Sequence, residues 1–137
     1  MNVAEELHRD DFGVVSHDVA AELLELEWLE GSANMTDDNF KESMKRYAMC
    51  AEQLRPGNLL VDVTKFKHSP GANVGAWRDR EIIPRYNTAG VRRFAFIVPH
   101  GSPGTVEQGN SPAQEPPGQF PTAYFDDRQD ALNWFGE

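Results

Sequence analysis

The sequence TDDNFKESMKRYAMCAEQLRPGNLLV, residues 36–61, combines a capped amphipathic helix with a short apolar strand. Thr36 is a favourable N-cap residue. Beyond it, apolar side chains recur at spacings of four and three residues, as one stripe along a helix requires: Phe40, Met44, Tyr47, Ala51 and Leu54. Arg55-Pro56-Gly57-Asn58 ends the helix. Leu59-Leu60-Val61 has the unbroken apolar character of a central strand that is covered on both faces.

Two apolar segments precede this helix, at residues 12–17 and 22–29. In the second segment, leucine and tryptophan alternate with glutamate, which is the period of a strand with one solvated face. Its composition alone favours a helix, but Glu30-Gly31-Ser32 ends the segment after only a few residues. The two segments therefore predict an antiparallel hairpin at the start of the fold.

A second helix is predicted at about residues 73–88. Pro84 lies inside this segment, where a proline removes a backbone hydrogen bond and clashes with the preceding turn. We therefore expect a kink or a break near residue 80 rather than a straight helix. Gly90 is well placed to end the helix, because glycine readily adopts the left-handed conformation found there.

Two strands and a terminal helix complete the chain. The strands are residues 94–98 and 122–125, and Asp126 and Gln129 have capping-box spacing for the helix. Strands separated by helices imply right-handed crossovers and parallel pairing. The predicted fold class is α/β, with a single mixed, mostly parallel sheet of four to five strands and helices packed against it. The predicted order is β-β-α-β-α-β-loop-β-α, in one domain over residues 1–137.

Residues 99–121 form a long connection with no periodic pattern. They hold six of the nine prolines and four of the eleven glycines. Loops of this length without secondary structure are uncommon in compact domains, where they serve as functional lids or are disordered. The sequence leaves both interpretations open.

Composition restricts the classes of partner. The 137 residues include 13 basic and 22 acidic side chains, for a net charge of −9. This balance disfavours nucleic acids and anionic lipid surfaces, which attract clusters of lysine and arginine. No segment approaches the roughly 20 apolar residues that cross a bilayer, so we expect no membrane insertion. Cys50 is the only cysteine, and the N-terminus does not have the pattern of a secretory signal. These features predict a cytoplasmic protein.

Three segments in this order resemble the SpoIIAA-like branch of the STAS superfamily, the sulphate-transporter and anti-sigma-factor-antagonist domain. They are Trp28-Leu29-Glu30-Gly31, Leu60-Val61-Asp62, and the ending Tyr124-Phe125-Asp126-Asp127 with Ala131-Leu132-Asn133-Trp134-Phe135. The resemblance covers about residues 12–136. It implies a mostly parallel sheet of four or five strands in a bacterial protein, and the branch is discussed beside the CRAL-TRIO lipid carriers. The loop at 99–121 stands where this fold commonly has another helix.

The resemblance draws attention to Ser69. In anti-sigma-factor antagonists, a serine at the start of the helix after the central strand is phosphorylated, typically following an aspartate. Ser69 occupies a similar place, but His68 precedes it and Pro70 follows it. We favour the interpretation that Ser69 caps a turn, with Pro70 at a first helical position. Phosphorylation of Ser69, which would add negative charge at a helix start, is the alternative.

Other candidate residues lie near the predicted strand ends and the kinked helix. Asp62 follows the central strand, where ligands gather in α/β folds, although we favour the interpretation that it accepts hydrogen bonds in the following turn. A serine hydrolase needs an acid, a base and a nucleophilic hydroxyl, which Asp62, His68 and Ser69 could supply. The sequence has no Gly-x-Ser-x-Gly motif, however, which commonly carries the nucleophile in such enzymes. Trp77 and Arg80 are expected to serve core packing and a solvated face, or alternatively to border a pocket at the kink. The four histidines lack the short spacing of metal ligands, so we expect neither a metal nor another cofactor.

The sequence thus predicts a non-enzymatic binding or regulatory module that recognises a protein partner or a small apolar ligand. Candidate binding residues are Asp62, His68, Ser69, Trp77 and Arg80. The alternative is a small enzyme whose site lies around Asp62 and is covered by the 99–121 loop. Homodimerisation through the exposed strand of the hairpin or through this loop is compatible with the sequence, which does not choose between the two routes.

Overall fold

A computed structural model describes residues 4–100 and 120–136 of the chain. In these ranges, six strands form one sheet: β1 (Glu5–Arg9), β2 (Gly13–Asp18), β3 (Leu23–Trp28), β4 (Asn58–Asp62), β5 (Arg93–Ile97) and β6 (Thr122–Phe125). The α-helices are α1 (Asp37–Leu54), α2 (Val74–Glu81), α3 (Ile83–Ala89) and α4 (Arg128–Phe135), and a 3-10 helix spans Glu30–Asn34. The α/β fold class is confirmed, with six strands in the sheet instead of the four to five predicted.

The strands follow each other across the sheet in chain order. β1, β2 and β3 pair antiparallel, whereas β3 to β6 form three successive parallel pairs. β4 lies inside the sheet, and both Leu59 and Leu60 have no exposed surface. The predicted hairpin and the predicted central strand are therefore confirmed.

β1 is the strand that the sequence did not predict. Four of its five residues are exposed, and a bulge interrupts its pairing with β2 between Glu6 and His8. Bulges and charged side chains are common on edge strands, where they discourage pairing with other chains. Because β1 covers the outer edge of β2, the expectation that the hairpin leaves an exposed strand there is wrong.

Helices cover the two faces of the sheet unequally. The larger core lies between the sheet and α1, α2 and α3, and includes Leu24, Leu59, Val61 and Phe94. The smaller core lies under α4, against Leu60, Ala95, Ile97, Ala123 and Phe125. Adjacent strand residues enter different cores because side chains alternate along a strand.

α1 begins and ends as its sequence predicts. Asn39 N donates to Thr36 Oγ1 at 3.1 Å, and Thr36 N donates to Asn39 Oδ1 at 2.9 Å. This reciprocal pair satisfies two backbone donors that a helix start leaves free. At the other end, Arg55 adopts a left-handed conformation with φ 48°, and Pro56 follows.

The predicted break in the second helix is confirmed. α2 and α3 meet at Ile82, and Pro84 lies in the first turn of α3. In the first turn a proline costs no hydrogen bond, because the backbone N–H there has no partner within the helix. Gly90 ends α3 with φ 82°, as expected.

The cap of α4 differs by one residue from the prediction. Asp127, rather than Asp126, is the N-cap, and its side chain accepts hydrogen bonds from Gln129 N at 2.8 Å and Asp130 N at 3.3 Å. Capping by an aspartate at this position is worth about 1 kcal/mol.

Most of the predicted loop at 99–121 falls outside the described residues, which resume at Phe120. The predictions that it acts as a lid or as a dimer contact also concern residues outside those ranges. Among the helices within them, none combines the length and the apolar character needed to cross a membrane.

Candidate ligand pocket

A cavity of about 220 Å³ lies between the sheet and the helices α1, α2 and α3. Thirteen residues line it, and seven of them are aromatic. They come from β3 to β6, from the three helices and from the segment that joins β4 to α2. The cavity therefore lies where the broken helix packs over the parallel part of the sheet.

The floor of the pocket is built from strand residues at the carboxyl ends of the parallel strands. Val61, Phe96 and Tyr124 are aligned on β4, β5 and β6. Phe96 stacks on Tyr124 with ring centroids 5.1 Å apart and on Phe94 at 4.7 Å. Ligands gather at this edge in open α/β sheets.

One side of the pocket is closed by three rings that contact each other. Trp28 of β3 stacks on Phe40 of α1 with centroids 5.6 Å apart, and Phe66 lies 5.0 Å from Trp28 and 5.8 Å from Phe40. Aromatic pairs at these separations add stabilisation beyond the area they bury. Phe66 comes from the segment after β4, so the position of that segment determines the shape of the pocket.

Two polar side chains hold that segment in place. Ser32, which is fully buried, accepts a hydrogen bond from Lys67 N at 2.8 Å. Asp37, in the first turn of α1, accepts from Gly71 N at 3.2 Å and lies 2.8 Å from His68 Nε2. The hydrogen bonds from His68 and from the Gly71 N–H hold the pKa of Asp37 below its usual value. His68 therefore fixes the segment to α1 and does not line the pocket itself.

Arg78 and Tyr86 bring polar groups to the helix side of the pocket. The Arg78 guanidinium donates to Asp79 Oδ1 at 3.1 and 3.3 Å. Burial raises the pKa of Tyr86, and the positive charges of Arg78 and Arg85 oppose that rise. Tyr86 is 2% exposed, and its hydroxyl forms no hydrogen bond with any described residue.

Tyr47, a neighbouring tyrosine in the same core, has a hydroxyl that is hydrogen-bonded. Tyr47 has no exposed surface, and its hydroxyl donates to Leu24 O at 2.6 Å and lies 3.2 Å from Leu60 O. Its ring meets that of Tyr86 edge to face at 6.1 Å. Of the two buried tyrosines, Tyr47 has a structural partner among the described residues and Tyr86 has none.

Asp62 lies apart from the pocket. Its Oδ1 accepts hydrogen bonds from Thr64 N at 2.9 Å and from Thr64 Oγ1 at 2.7 Å. Because Val61 lines the pocket, strand alternation directs Asp62 towards the other face of the sheet. Of the two roles considered for Asp62, the structure shows hydrogen bonding within the turn.

Ser69 does not have the capping role that we favoured. It is exposed, and its hydroxyl has no hydrogen-bond partner in the part of the chain that the structure describes. α2 begins only at Val74, with Asn73 at the N-cap, so Pro70 is outside the helix. Pro70 instead lines the pocket. Phosphorylation of Ser69 stays a prediction.

Trp77 and Arg80 also lie outside the pocket lining. Trp77 is half-buried against the larger core, and Lys41 Nζ lies 5.4 Å from its ring centroid. Arg80 is exposed and pairs with Glu81 at 3.1 Å. From α2 it is Arg78 that lines the pocket at the break, a residue not among those predicted from the sequence. Arg78 is four residues from Val74, the buried residue of that helix, and residues four apart lie on the same helix face. This spacing could have indicated Arg78 from the sequence.

Metal-ligating residues are not clustered in residues 4–100 and 120–136, where no group of three or more His, Cys, Asp or Glu side chains is arranged to hold an ion.

Comparison of the chain with protein-family models, with curated proteins and with solved structures gave no match. The SpoIIAA-like assignment therefore stays a prediction from the sequence.

Proposed function

We propose that the chain is a non-enzymatic binding module whose aromatic pocket takes a small, mainly apolar ligand. The observation that carries this proposal is the cavity of about 220 Å³ lined by seven aromatic side chains at the carboxyl edge of the parallel strands. Enclosed apolar pockets with a few polar groups are the usual sites for small molecules.

The volume limits the size of the ligand. An apolar cavity of about 150 Å³ binds benzene, whereas drug-sized ligands occupy pockets of roughly 300–1,000 Å³. A cavity of about 220 Å³ suits a single ring with a short substituent, or a compact bicyclic molecule. A protein partner, the other recognition target that the sequence allows, would have to present a side chain of this size.

The arrangement of polar residues supports binding rather than turnover. A nucleophilic serine needs a base within hydrogen-bond reach. His68 bonds to Asp37, and the Ser69 hydroxyl has no partner among the described residues. The alternative of an enzyme around Asp62 has less support, because that carboxylate bonds to Thr64 and is directed away from the pocket.

We further propose that this module is a cytoplasmic, bacterial member of the SpoIIAA-like branch of the STAS superfamily. The support is the order of its elements together with the three sequence segments that resemble the branch. A regulatory role in which ligand binding or Ser69 phosphorylation alters a protein contact would follow from that membership.

Thermal unfolding with and without small aromatic ligands tests the binding function. A ligand at a hundred times its dissociation constant adds about 2.7 kcal/mol to stability, so indole or toluene should raise the midpoint. Val63→Phe adds a ring to the pocket lining and should abolish the shift. Val19→Phe, at a residue that is 72% exposed, is the matched control. The proposal fails if no aromatic ligand, neutral or charged, raises the midpoint, or if Val63→Phe leaves every shift intact.

A further inference from the structure

We propose that the ligand is an aromatic carboxylate whose ring occupies the aromatic floor and whose carboxylate is bound by Arg78 and the Tyr86 hydroxyl. This inference rests on the proposed binding function and specifies the chemical class of its ligand. It follows from the charge of the pocket, from an unpartnered donor and from an arginine that is only weakly engaged.

The charge of the pocket is opposite to that of the whole chain. The chain carries a net charge of −9, yet the described residues that line the pocket include one arginine and no acidic side chain. Aromatic pockets without such an arginine can bind cations against their ring faces. Here the fixed positive charge of Arg78 opposes an ammonium ligand and favours an anion.

The Tyr86 hydroxyl is a donor without an acceptor among the described residues. The side chain is 2% exposed and lines the pocket, where a hydrogen bond from its hydroxyl to a ligand would contribute to binding. The Tyr47 hydroxyl bonds to the carbonyl oxygens of Leu24 and Leu60, so these carbonyls do not need a hydrogen bond from Tyr86. The Tyr86 hydroxyl is therefore available to donate to a ligand oxygen in the pocket.

Arg78 has a partner that a ligand can replace. Its guanidinium bonds to Asp79, the next residue, with side chains that are 39% and 58% exposed. Ion pairs this accessible to water contribute little. A guanidinium is also the side chain whose geometry matches a carboxylate through two parallel hydrogen bonds. A ligand carboxylate at the pocket can therefore exchange with Asp79.

Isothermal titration of the full chain with 3-phenylpropionate and its neutral amide, 3-phenylpropanamide, tests the inference. The two ligands share ring, chain length and size and differ in charge. We expect the carboxylate to bind at least about tenfold more tightly, since charge-assisted bidentate hydrogen bonds are the strong class. Equal affinities, or tighter binding of the amide, would overturn the inference.

Variants of two arginines on α2 test which of them binds the ligand carboxylate. Arg78→Met should weaken binding of the carboxylate about tenfold or more and change binding of the amide less than about twofold. Arg78→Lys, which keeps the charge and loses the planar fork, should lie between Arg78→Met and wild type. Arg80→Met removes an exposed arginine two residues away and should leave both affinities unchanged. If Arg78→Met and Arg80→Met behave alike, Arg78 is not the carboxylate-binding group.

Two further variants report on the neighbouring groups. Tyr86→Phe should weaken binding of the carboxylate ligand about tenfold if the hydroxyl donates a hydrogen bond to it. Asp79→Asn removes the charged partner of Arg78. It should strengthen binding of the carboxylate about twofold or more and leave the affinity for the amide unchanged. A gain for both ligands, or for neither, would contradict the exchange of Asp79 for the ligand.

The outcomes separate the two proposals. One outcome is that neutral aromatic ligands bind in a way that Val63→Phe abolishes while the carboxylate binds no more tightly than they do. In that case the binding function stands and the carboxylate inference is wrong. If neither the neutral nor the charged ligands bind, the binding function itself is wrong. Thermal midpoints of the ligand-free variants show that each is folded before its affinity is compared.

Discussion

The hydroxyl of Tyr47 donates a hydrogen bond to the carbonyl oxygen of Leu24 at 2.6 Å, and neither residue has any exposed surface. The same hydroxyl lies 3.2 Å from Leu60 O. A side chain of α1 thus reaches the backbone of β3 and of β4, beside the ring of Tyr86, whose hydroxyl lacks such a partner among the described residues. The two tyrosines have similar burial and different roles.

Replacing each tyrosine by phenylalanine should separate these roles. Tyr47→Phe removes the buried hydroxyl that bonds to the carbonyl oxygens of Leu24 and Leu60 and should lower the free energy of unfolding by about 1–2 kcal/mol. Tyr86→Phe removes a hydroxyl with no partner and should stay within about 0.5 kcal/mol of wild type. Urea unfolding followed by circular dichroism measures both. Equal losses in the two variants would mean that the Tyr86 hydroxyl has a structural partner.

The cap of α4 can be assigned by comparing two adjacent aspartates. Asp127→Ala removes the acceptor for Gln129 N and Asp130 N and should cost about 1 kcal/mol of unfolding free energy. Asp126→Ala removes a contact with His100, a side chain that is 93% exposed. In about 0.5 M salt, which screens exposed pairs, the Asp126 effect should fall towards zero and the Asp127 effect should persist. The opposite ranking would restore Asp126 as the cap.

Local patterns were sufficient for most of the fold. α1 and β3 carry a clear period of 3.6 or 2 because each has one buried face, and Pro84 marks the break between α2 and α3 through its missing N–H. β1 has no such pattern. Four of its five side chains are exposed, so its strand conformation depends on pairing with β2 rather than on burying a face of its own.

The site was harder to predict because its residues are far apart in the chain. His68 and Asp37 are 31 residues apart, and no spacing rule brings them together. The kink was predicted, but Trp77 and Arg80 were chosen on aromatic character and charge. The packing of α2 determines which of its side chains borders the pocket, and that side chain is Arg78. Asp62 was also considered for the site because it follows a central strand, but it has the role in the turn that we favoured, and strand alternation directs it to the opposite face.

The contact between Asp37 and His68 should depend on pH in a defined direction. The pKa of Asp37 is lower in the folded chain than its ordinary value of 3.8. Its ionised form therefore stabilises the fold above that ordinary value, and this contribution is lost as the pH falls through the lower folded-state pKa. Asp37→Asn should be less stable than wild type near neutral pH, and the difference should shrink as the pH falls below 3.8, the ordinary value.

Asp38→Asn is the matched control for that experiment. Asp38 lies in the same first turn of α1, so both variants lose the same favourable interaction with the helix dipole. Asp38 is exposed and has no hydrogen bond to a described residue. Urea unfolding across the acidic range should show the larger, pH-dependent loss only for Asp37→Asn. A similar profile for both variants would assign the effect to the helix dipole alone.

Tryptophan fluorescence can place a bound ligand in the pocket. Trp28 is 2% exposed and lines the cavity, whereas Trp77 and Trp134 do not. A ligand such as 3-phenylpropionate would contact the Trp28 ring, so its binding should change the emission of the wild-type chain. Trp28→Phe keeps an aromatic ring and should remove that change, while Trp77→Phe should retain it. A ligand-dependent change that persists in Trp28→Phe and disappears in Trp77→Phe would place the ligand on the outer side of α2 and remove the basis for the aromatic pocket as the binding site.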